Sequence, residues 1–335
     1  MNDSEILHII KTSDNDEIEA LFTKARNAQE VYYGKSVYVR GLIEITNHCK
    51  NDCLYCGLRC SNSNLKRYRL SIDEILGCCR TGDKLGFKTF VLQGGEDPHF
   101  TAQRTAEVIT AIRCEFPDHA ITLSLGERPI SDYELFYKTG ANRYLLRHET
   151  ANDSHYKKLH PPAQTLSARK KALYSLKEIG FQTGAGFMIE SPFQTPENLL
   201  EDIRFLEDLQ PQMIGIGPFL PQKDTPFGSF KAGSLLTSLK MIALSRILLP
   251  HALIPASTAI GTVSPNGREL ALKAGANVVM PNLTPPHVKN LYIIYDNKAV
   301  LGDEAAENLT LIKEKITNTG YTADMSRGDA LVKKD

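Results

Sequence analysis

Lys84-Leu85-Gly86-Phe87-Lys88-Thr89-Phe90-Val91-Leu92 carries the pattern that decides the fold. A basic residue and a glycine close a helix, and a short apolar run follows. Glycine accepts the left-handed backbone that ends a helix, and the basic residue meets the negative pole of the helix dipole. An apolar run without alternation suits a strand buried on both faces, as in a parallel sheet. The same punctuation recurs as Lys138-Thr139-Gly140-Ala141 before Tyr144-Leu145-Leu146 and as Glu178-Ile179-Gly180-Phe181. It recurs again as Lys273-Ala274-Gly275-Ala276 before Val278-Val279-Met280.

Working outward from these units, eight strands are predicted at about 37–45, 87–93, 119–125, 142–149, 182–190, 212–217, 252–258 and 276–281. Helices are predicted between them, including about 72–85, 101–115, 165–179, 196–208, 232–248 and 265–274. Strands alternating with helices along the whole chain predict an α/β protein, and eight such units predict a complete (β/α)8 TIM-type barrel as a single domain. An open doubly wound sheet with fewer strands is the alternative. Residues 1–35 read as a polar helical N-terminal extension, 36–300 as the barrel, and 301–335 as a C-terminal helix and loose charged tail packed on it.

The chain of 335 residues is 42% hydrophobic and 23% charged, ordinary values for a globular protein. Its 39 basic residues balance 39 acidic ones, so no net positive field points to nucleic acid or an anionic membrane as a partner. The N-terminus lacks a charged region followed by an apolar core, and no run approaches the roughly 20 apolar residues of a spanning helix. A cytoplasmic location is expected.

Seven cysteines stand at 49, 53, 56, 60, 78, 79 and 114, and none follows. An odd number crowded into the first third makes a poor disulfide framework. Cys49, Cys53 and Cys56 have the spacing C-x3-C-x2-C just beyond the first strand, at the end of a barrel where catalytic loops sit. Thiolates select iron–sulfur clusters, zinc or copper(I). Ordinary clusters use four protein ligands, so three closely spaced cysteines leave one iron of a cube open. The alternative is a zinc site completed by His48 or Cys60. A fourth thiolate would close the cube, so Cys60 reads as a bystander. Cys78, Cys79 and Cys114 read as small hydrophobes on helices.

Other strand ends carry polar groups. Gln93-Gly94-Gly95-Glu96-Asp97 follows the second strand and Ser124-Leu125-Gly126-Glu127 the third. Arg147 and Glu149 end the fourth, two apart and therefore on one face, where buried charges need partners or ligands. Gly184, Gly186, Gly215 and Gly217 are expected to make room for a ligand. Ser257 and Thr258 offer hydroxyls after the seventh strand. Tyr292 and Tyr295 lie in a stretch able to fold over the mouth.

The cysteine spacing, with Tyr55 just before the last cysteine, resembles the signature of the radical-SAM superfamily. Longer runs resemble the HydE-type maturases of [FeFe]-hydrogenase within it. These include Asn47 to Arg59, Leu65 to Arg69, Val91 to Pro98, Thr122 to Glu127, Arg143 to Asn152, Gly215 to Pro218 and Gly275 to Pro285. The resemblance implies a [4Fe–4S] cluster on Cys49, Cys53 and Cys56 that cleaves S-adenosylmethionine to a 5′-deoxyadenosyl radical, with an external electron donor. It implies that Gln93, Gly94, Glu149, Arg169 and Tyr292 contact S-adenosylmethionine. Ser124, Arg147, Ser257, Thr258 and Tyr295 would line the substrate end. The implied substrate is a small organometallic species, a cysteine-bound iron carbonyl cyanide. The implied partners are a second radical-SAM maturase and a GTPase scaffold maturase. Many members carry further cysteines near the C-terminus for a second cluster; this chain has none there, so a single cluster is expected. The nearest rival readings are enzymes resembling methylornithine synthase or biotin synthase, and a non-catalytic iron–sulfur or zinc protein.

Overall fold

A computed structural model describes residues 1–298 and 306–331 of the chain. Its first barrel strand runs as Ser36–Val39 and Gly41–Thr46, the second piece buried at every position. Gly41–Thr46 pairs in parallel with Thr89–Gly94, and the sheet continues through Ala120–Ser124, Arg143–Leu145, Gln182–Ala185 and Met213–Ile214. Single parallel bridges carry it on from Met213 to Leu253 and from Pro255 to Val278. Val278 and Val279 then pair with Tyr38 and Val39 of the first strand. The ring is closed and every step is parallel, which makes the fold the expected eight-stranded TIM-type barrel.

Three strands depart from expectation. The seventh, expected over 252–258, is reduced to the bridges at Leu253 and Pro255. Pro255 has no N–H to donate, and a helix already begins at Thr258. The fifth and sixth are interrupted. Gly186 sits at φ +156, and a Cβ there would lie 2.0 Å from the Gly215 carbonyl oxygen. The two backbones touch at that point and resume pairing as Met188–Ile189 with Gly217–Pro218.

The glycine punctuation ends helices as read. Ile130–Thr139 stops at Gly140 (φ +117), and Leu166–Ile179 at Gly180 (φ +107). Two helix starts carry side-chain caps: Thr165 accepts from the Ala168 N–H on Leu166–Ile179, and Ser71 and Glu74 form a reciprocal capping box on Ile72–Lys84. Cys78 and Cys79 are buried in the core as small hydrophobes, but Cys114 is exposed at the last turn of Ala102–Glu115, contrary to expectation. Among the described residues no helix is long and apolar enough to cross a membrane.

Two N-terminal helices, Asp3–Lys11 and Asn15–Tyr33, pack on the outer helices Pro196–Leu209 and Leu235–Leu248. Leu235–Leu248 is thereby buried on nearly all sides. At the other end of the barrel, Thr322–Asp324 adds in parallel to Ser36–Tyr38. Arg327 to Asp329 then enter the barrel floor. The fully buried Arg143 donates to the Asp329 carboxylate (2.6 Å) and the Arg327 carbonyl (2.8 Å). Arg40 donates to the Gly328 carbonyl (2.8 Å) and Gln182 to Asp329 (2.9 Å). The tail expected to be loose is here a plug, because buried guanidinium groups on the strands need its acceptors. Positions 299–305 and 332–335, which the expected barrel end and C-terminal extension include, lie outside the described residues.

Candidate active site

The cysteine loop leaves the first strand at Thr46 and is held by polar contacts as well as by the packing of Leu54, Tyr55 and Leu58. The buried Asn47 carboxamide donates to the carbonyls of Lys66 and Leu291 and accepts from the Tyr68 N–H. Arg67 donates to the carbonyls of Leu58 (2.9 Å) and Arg59 (2.6 Å), and Arg59 forks onto Asp52 (2.8 and 2.6 Å). Cys49, Cys53 and Cys56 retain only partial exposure, while Cys60 is exposed. Burial pushes all three thiols up, Cys56 to about 12 and Cys53 well above its ordinary value. Such thiols become thiolates when metal binding displaces their protons. The Cys53 thiol donates to the Gln164 carboxamide (3.3 Å), a contact that no motif announced.

The turn after the second strand lies directly on this loop. A Cβ at Gly95 would stand 2.2 Å from the His48 carbonyl oxygen and 2.7 Å from the Cys49 Cβ. A Cβ at Gly94 would stand 2.8 Å from the Thr46 methyl. Both positions therefore need glycine for the close approach itself. Among the described residues no three His, Cys, Asp or Glu side chains close on a single metal ion; three soft donors spread along one loop, with bare backbone laid against them, fit instead an iron–sulfur cube, in which each thiolate holds its own iron.

Glu96 ties this turn to the loop: its carbonyl accepts from the Lys50 N–H (2.9 Å), and its carboxylate stands 3.5 Å from the Lys50 ammonium. It accepts from the Glu127 N–H (2.8 Å) and crosses Gly126, which sits at φ +73. The Arg169 guanidinium stands 3.0 Å from Glu127 and 3.9 Å from Glu96, and is nearly buried. Lys50, Glu96, Glu127, Gln164 and Thr165 line a cleft of about 420 Å³ beside it. Gln93 donates to the Tyr292 hydroxyl (3.3 Å) and is in register with Ser124 on the neighbouring strand.

Arg147 and Glu149 come together as expected, but not by strand alternation. Regular pairing ends at Leu145, and Glu149 has a left-handed backbone (φ +66). Their side chains stand 3.0 Å apart without an aligned hydrogen bond. Arg147 Nε and Nη2, Glu149 Oε2 and Ser257 Oγ are all buried with no hydrogen-bond partner among the described residues. Orphaned polar atoms of this kind are costly and mark a place built for a polar ligand. The strand-end glycines make room for protein side chains first. Arg147 lies across Gly215, and Ser257 against Gly217. Thr258 accepts from Arg268 through its hydroxyl (3.2 Å).

Behind Arg147 and Glu149 stands a pair that sequence reasoning missed. His148 Nδ1 accepts from the Gly186 N–H (3.3 Å), so its Nε2 carries the proton toward Asp202 (3.2 Å). Asp202 also accepts from the Ala151 N–H (2.5 Å). Both side chains are fully buried; burial pushes His148 well below and Asp202 well above its ordinary value. The available signal was an aspartate among Leu199, Ile203 and Leu206 on the inner face of its helix.

Tyr292 and Tyr295 are both buried, in a stretch tied to the cysteine loop. The Gly57 N–H donates to the Ile294 carbonyl (2.9 Å). Lys298 forms a buried ion pair with Glu44 of the first strand, and its ammonium stands 4.6 Å above the Tyr292 ring. Asn282 donates to the other Glu44 oxygen (3.1 Å). Tyr295 lines a cavity of about 720 Å³ with Asn62, Gln222 and Asp296.

Comparison with known proteins agrees with this geometry. The family model described as the Radical SAM superfamily matches residues 43–206. The [FeFe] hydrogenase maturase subunit HydE of Thermotoga maritima is 47% identical over 84% of this chain and 80% of its own. The 3-methylornithine synthase of Methanosarcina acetivorans is 31% identical over 83% of this chain and 79% of its own. A crystal structure of methylornithine synthase superposes with a TM-score of 0.86 at 27% identity, covering 96% of this chain and 94% of that one. With three cysteines on the first strand's loop and nearly half its residues shared with HydE over most of its length, the chain belongs to the HydE-type maturases of the radical SAM superfamily.

Proposed function

We propose that this enzyme acts in assembling the di-iron subcluster of [FeFe] hydrogenase, on a cysteine-bound iron carbonyl cyanide. The Arg147–Glu149 ion pair and the Ser257 hydroxyl, whose buried atoms lack hydrogen-bond partners among the described residues, carry the reading, because they offer an anion donor, a carboxylate and a hydroxyl at the strand ends. Cys49, Cys53 and Cys56 would hold a single [4Fe–4S] cluster. When bound, it supplies the open iron for S-adenosylmethionine and the electron that releases the 5′-deoxyadenosyl radical.

The chain's own residues then bind and orient. The backbone at Gly94 would hold the methionine portion of S-adenosylmethionine. Gln93 and Tyr292, already hydrogen-bonded to each other, flank it. Arg169 takes the cofactor carboxylate, which must share the guanidinium with Glu127. Glu149 accepts from the ribose or amino group. Arg147 binds the substrate carboxylate in the bidentate manner that guanidinium favours. Ser124, Ser257, Thr258 and Tyr295 complete the substrate end. The cysteine-bound substrate comes from a partner radical-SAM maturase, and the product passes to a GTPase scaffold maturase, all in the cytoplasm.

Complementation tests the whole reading: hydrogenase activity should return to a maturation mutant lacking its HydE-type protein. A second reading rests on the similarity to methylornithine synthase, and amino acid turnover distinguishes it. Conversion of lysine by the reconstituted enzyme, together with failure to complement, would overturn the maturase assignment.

A further inference from the structure

Cys53, Leu54 and Tyr55 are consecutive in the cysteine loop, and one other stretch of chain meets all three. The Leu54 N–H donates to the Leu159 carbonyl (2.9 Å), at the end of the helix Asp153–Leu159. His160 Nδ1 donates to the Tyr156 carbonyl, so its Nε2 accepts from the Tyr55 hydroxyl (3.1 Å). The Cys53 thiol donates to the Gln164 carboxamide (3.3 Å). The first two contacts fasten the loop. The third reaches an atom that would bind iron.

Gln164 is held in place for that contact. Its N–H donates to the Pro161 carbonyl (2.9 Å), closing a turn whose backbone Pro162 pre-sets. The next residue, Thr165, caps Leu166–Ile179. The backbone at Gln164 is therefore fixed from both sides. The side chain is partly buried and lines the cleft of about 420 Å³ beside the loop.

The three sulfurs are not served alike. Backbone N–H groups of Asn51 and Glu96 reach Cys49, and that of Leu58 reaches Cys56. Cys53 is met by a side chain, and a carboxamide suits both states of a cysteine. Its oxygen accepts from a thiol; turned over, its NH2 donates to a thiolate. A carboxylate of the same shape offers only acceptors and would oppose the thiolate.

We propose that Gln164 is a positioning residue for the cluster: its NH2 donates to the iron-bound Cys53 sulfur, and this hydrogen bond raises the reduction potential. The inference rests on the reading of Cys49, Cys53 and Cys56 as cluster ligands. The thiol proton leaves to solvent when iron binds, and the carboxamide turns over without any bond being made or broken in it. A donor at the sulfur draws off negative charge and so favours the reduced, more negative cluster.

The test uses the reconstituted full-length enzyme without S-adenosylmethionine, as wild type, Gln164→Leu and Gln164→Glu. Leucine keeps the bulk and glutamate the shape; neither donates. Redox titration followed by EPR gives the reduced-to-oxidised ratio of the cluster. At the wild-type midpoint this ratio should fall at least about threefold in both variants, roughly 30 mV at 59 mV per tenfold for one electron. A merely structural role would lower the unfolding midpoint and leave the potential in place. The reduced wild type, labelled with 15N in its glutamine side chains, should also show a 15N coupling in pulsed EPR that Gln164→Leu lacks. Ratios within about 1.5-fold of wild type overturn the proposal. So does a wild-type spectrum without glutamine coupling, which decides the matter even where a variant fails to hold its cluster. A wild type that binds no iron–sulfur cluster overturns the reading of the cysteines instead.

Discussion

Glu44 shows at the level of one residue what the barrel interior demands. It is a fully buried carboxylate in a strand that is otherwise largely aliphatic, and Lys298 closes its charge. Breaking a buried pair strands the remaining charge, at a cost of about 3–5 kcal/mol. Lys298→Met should lower the denaturation midpoint accordingly, and adding Glu44→Leu should restore much of the loss. Asp329 adds a pH dependence. Burial raises its pKa, but Arg143 and the hydrogen bonds around it prevail and bring it down to about 2. A depressed folded pKa gives stability that is present above the ordinary value of 3.8 and lost as pH falls through about 2. The advantage of wild type over Asp329→Asn in urea midpoints should therefore persist at pH 5 and disappear near pH 2. At the candidate site, Cys60→Ala should keep the iron and its EPR signal, while alanine at Cys49, Cys53 or Cys56 should abolish both. The anomaly of Glu44 was visible in sequence as a charge inside an apolar run. Its partner was not, because the two meet only through the closed barrel.

Helices and strands differed in how much of them could be read. The glycine after each basic helix end marked Gly140 and Gly180 correctly, since a left-handed residue there is a local requirement. The seventh strand was overdrawn because hydrophobicity alone does not register that Pro255 cannot donate. Arg147 and Glu149 were placed together for an incomplete reason: a left-handed turn at Glu149 brings them into contact, and no sequence pattern signals it. The helix Leu166–Ile179 offers a test at this scale because it carries Arg169. Its cap is the Thr165 hydroxyl, so Thr165→Ala should cost about 1 kcal/mol in thermal or urea unfolding. The same change should raise the S-adenosylmethionine concentration needed for half-maximal cleavage, because Arg169 lies in the first turn.

Counting the strands was enough to predict a closed barrel, but how its floor is sealed was not legible. The sealing groups are Arg40, Arg143 and Gln182 on the strands and the carbonyls and carboxylate of Arg327 to Asp329, some 150 to 290 residues away. Truncation before Arg327 should leave two buried guanidinium groups without these acceptors and cost several kcal/mol, read as a lower unfolding midpoint. This long-range seam also governs biosynthesis. Ser36 pairs with Thr322, so a ribosome that has delivered the cysteine loop and even the eighth strand still holds an unsealed barrel. The cysteines leave the ribosome long before the strands around them are locked, and cluster insertion has that interval of translation in which to occur.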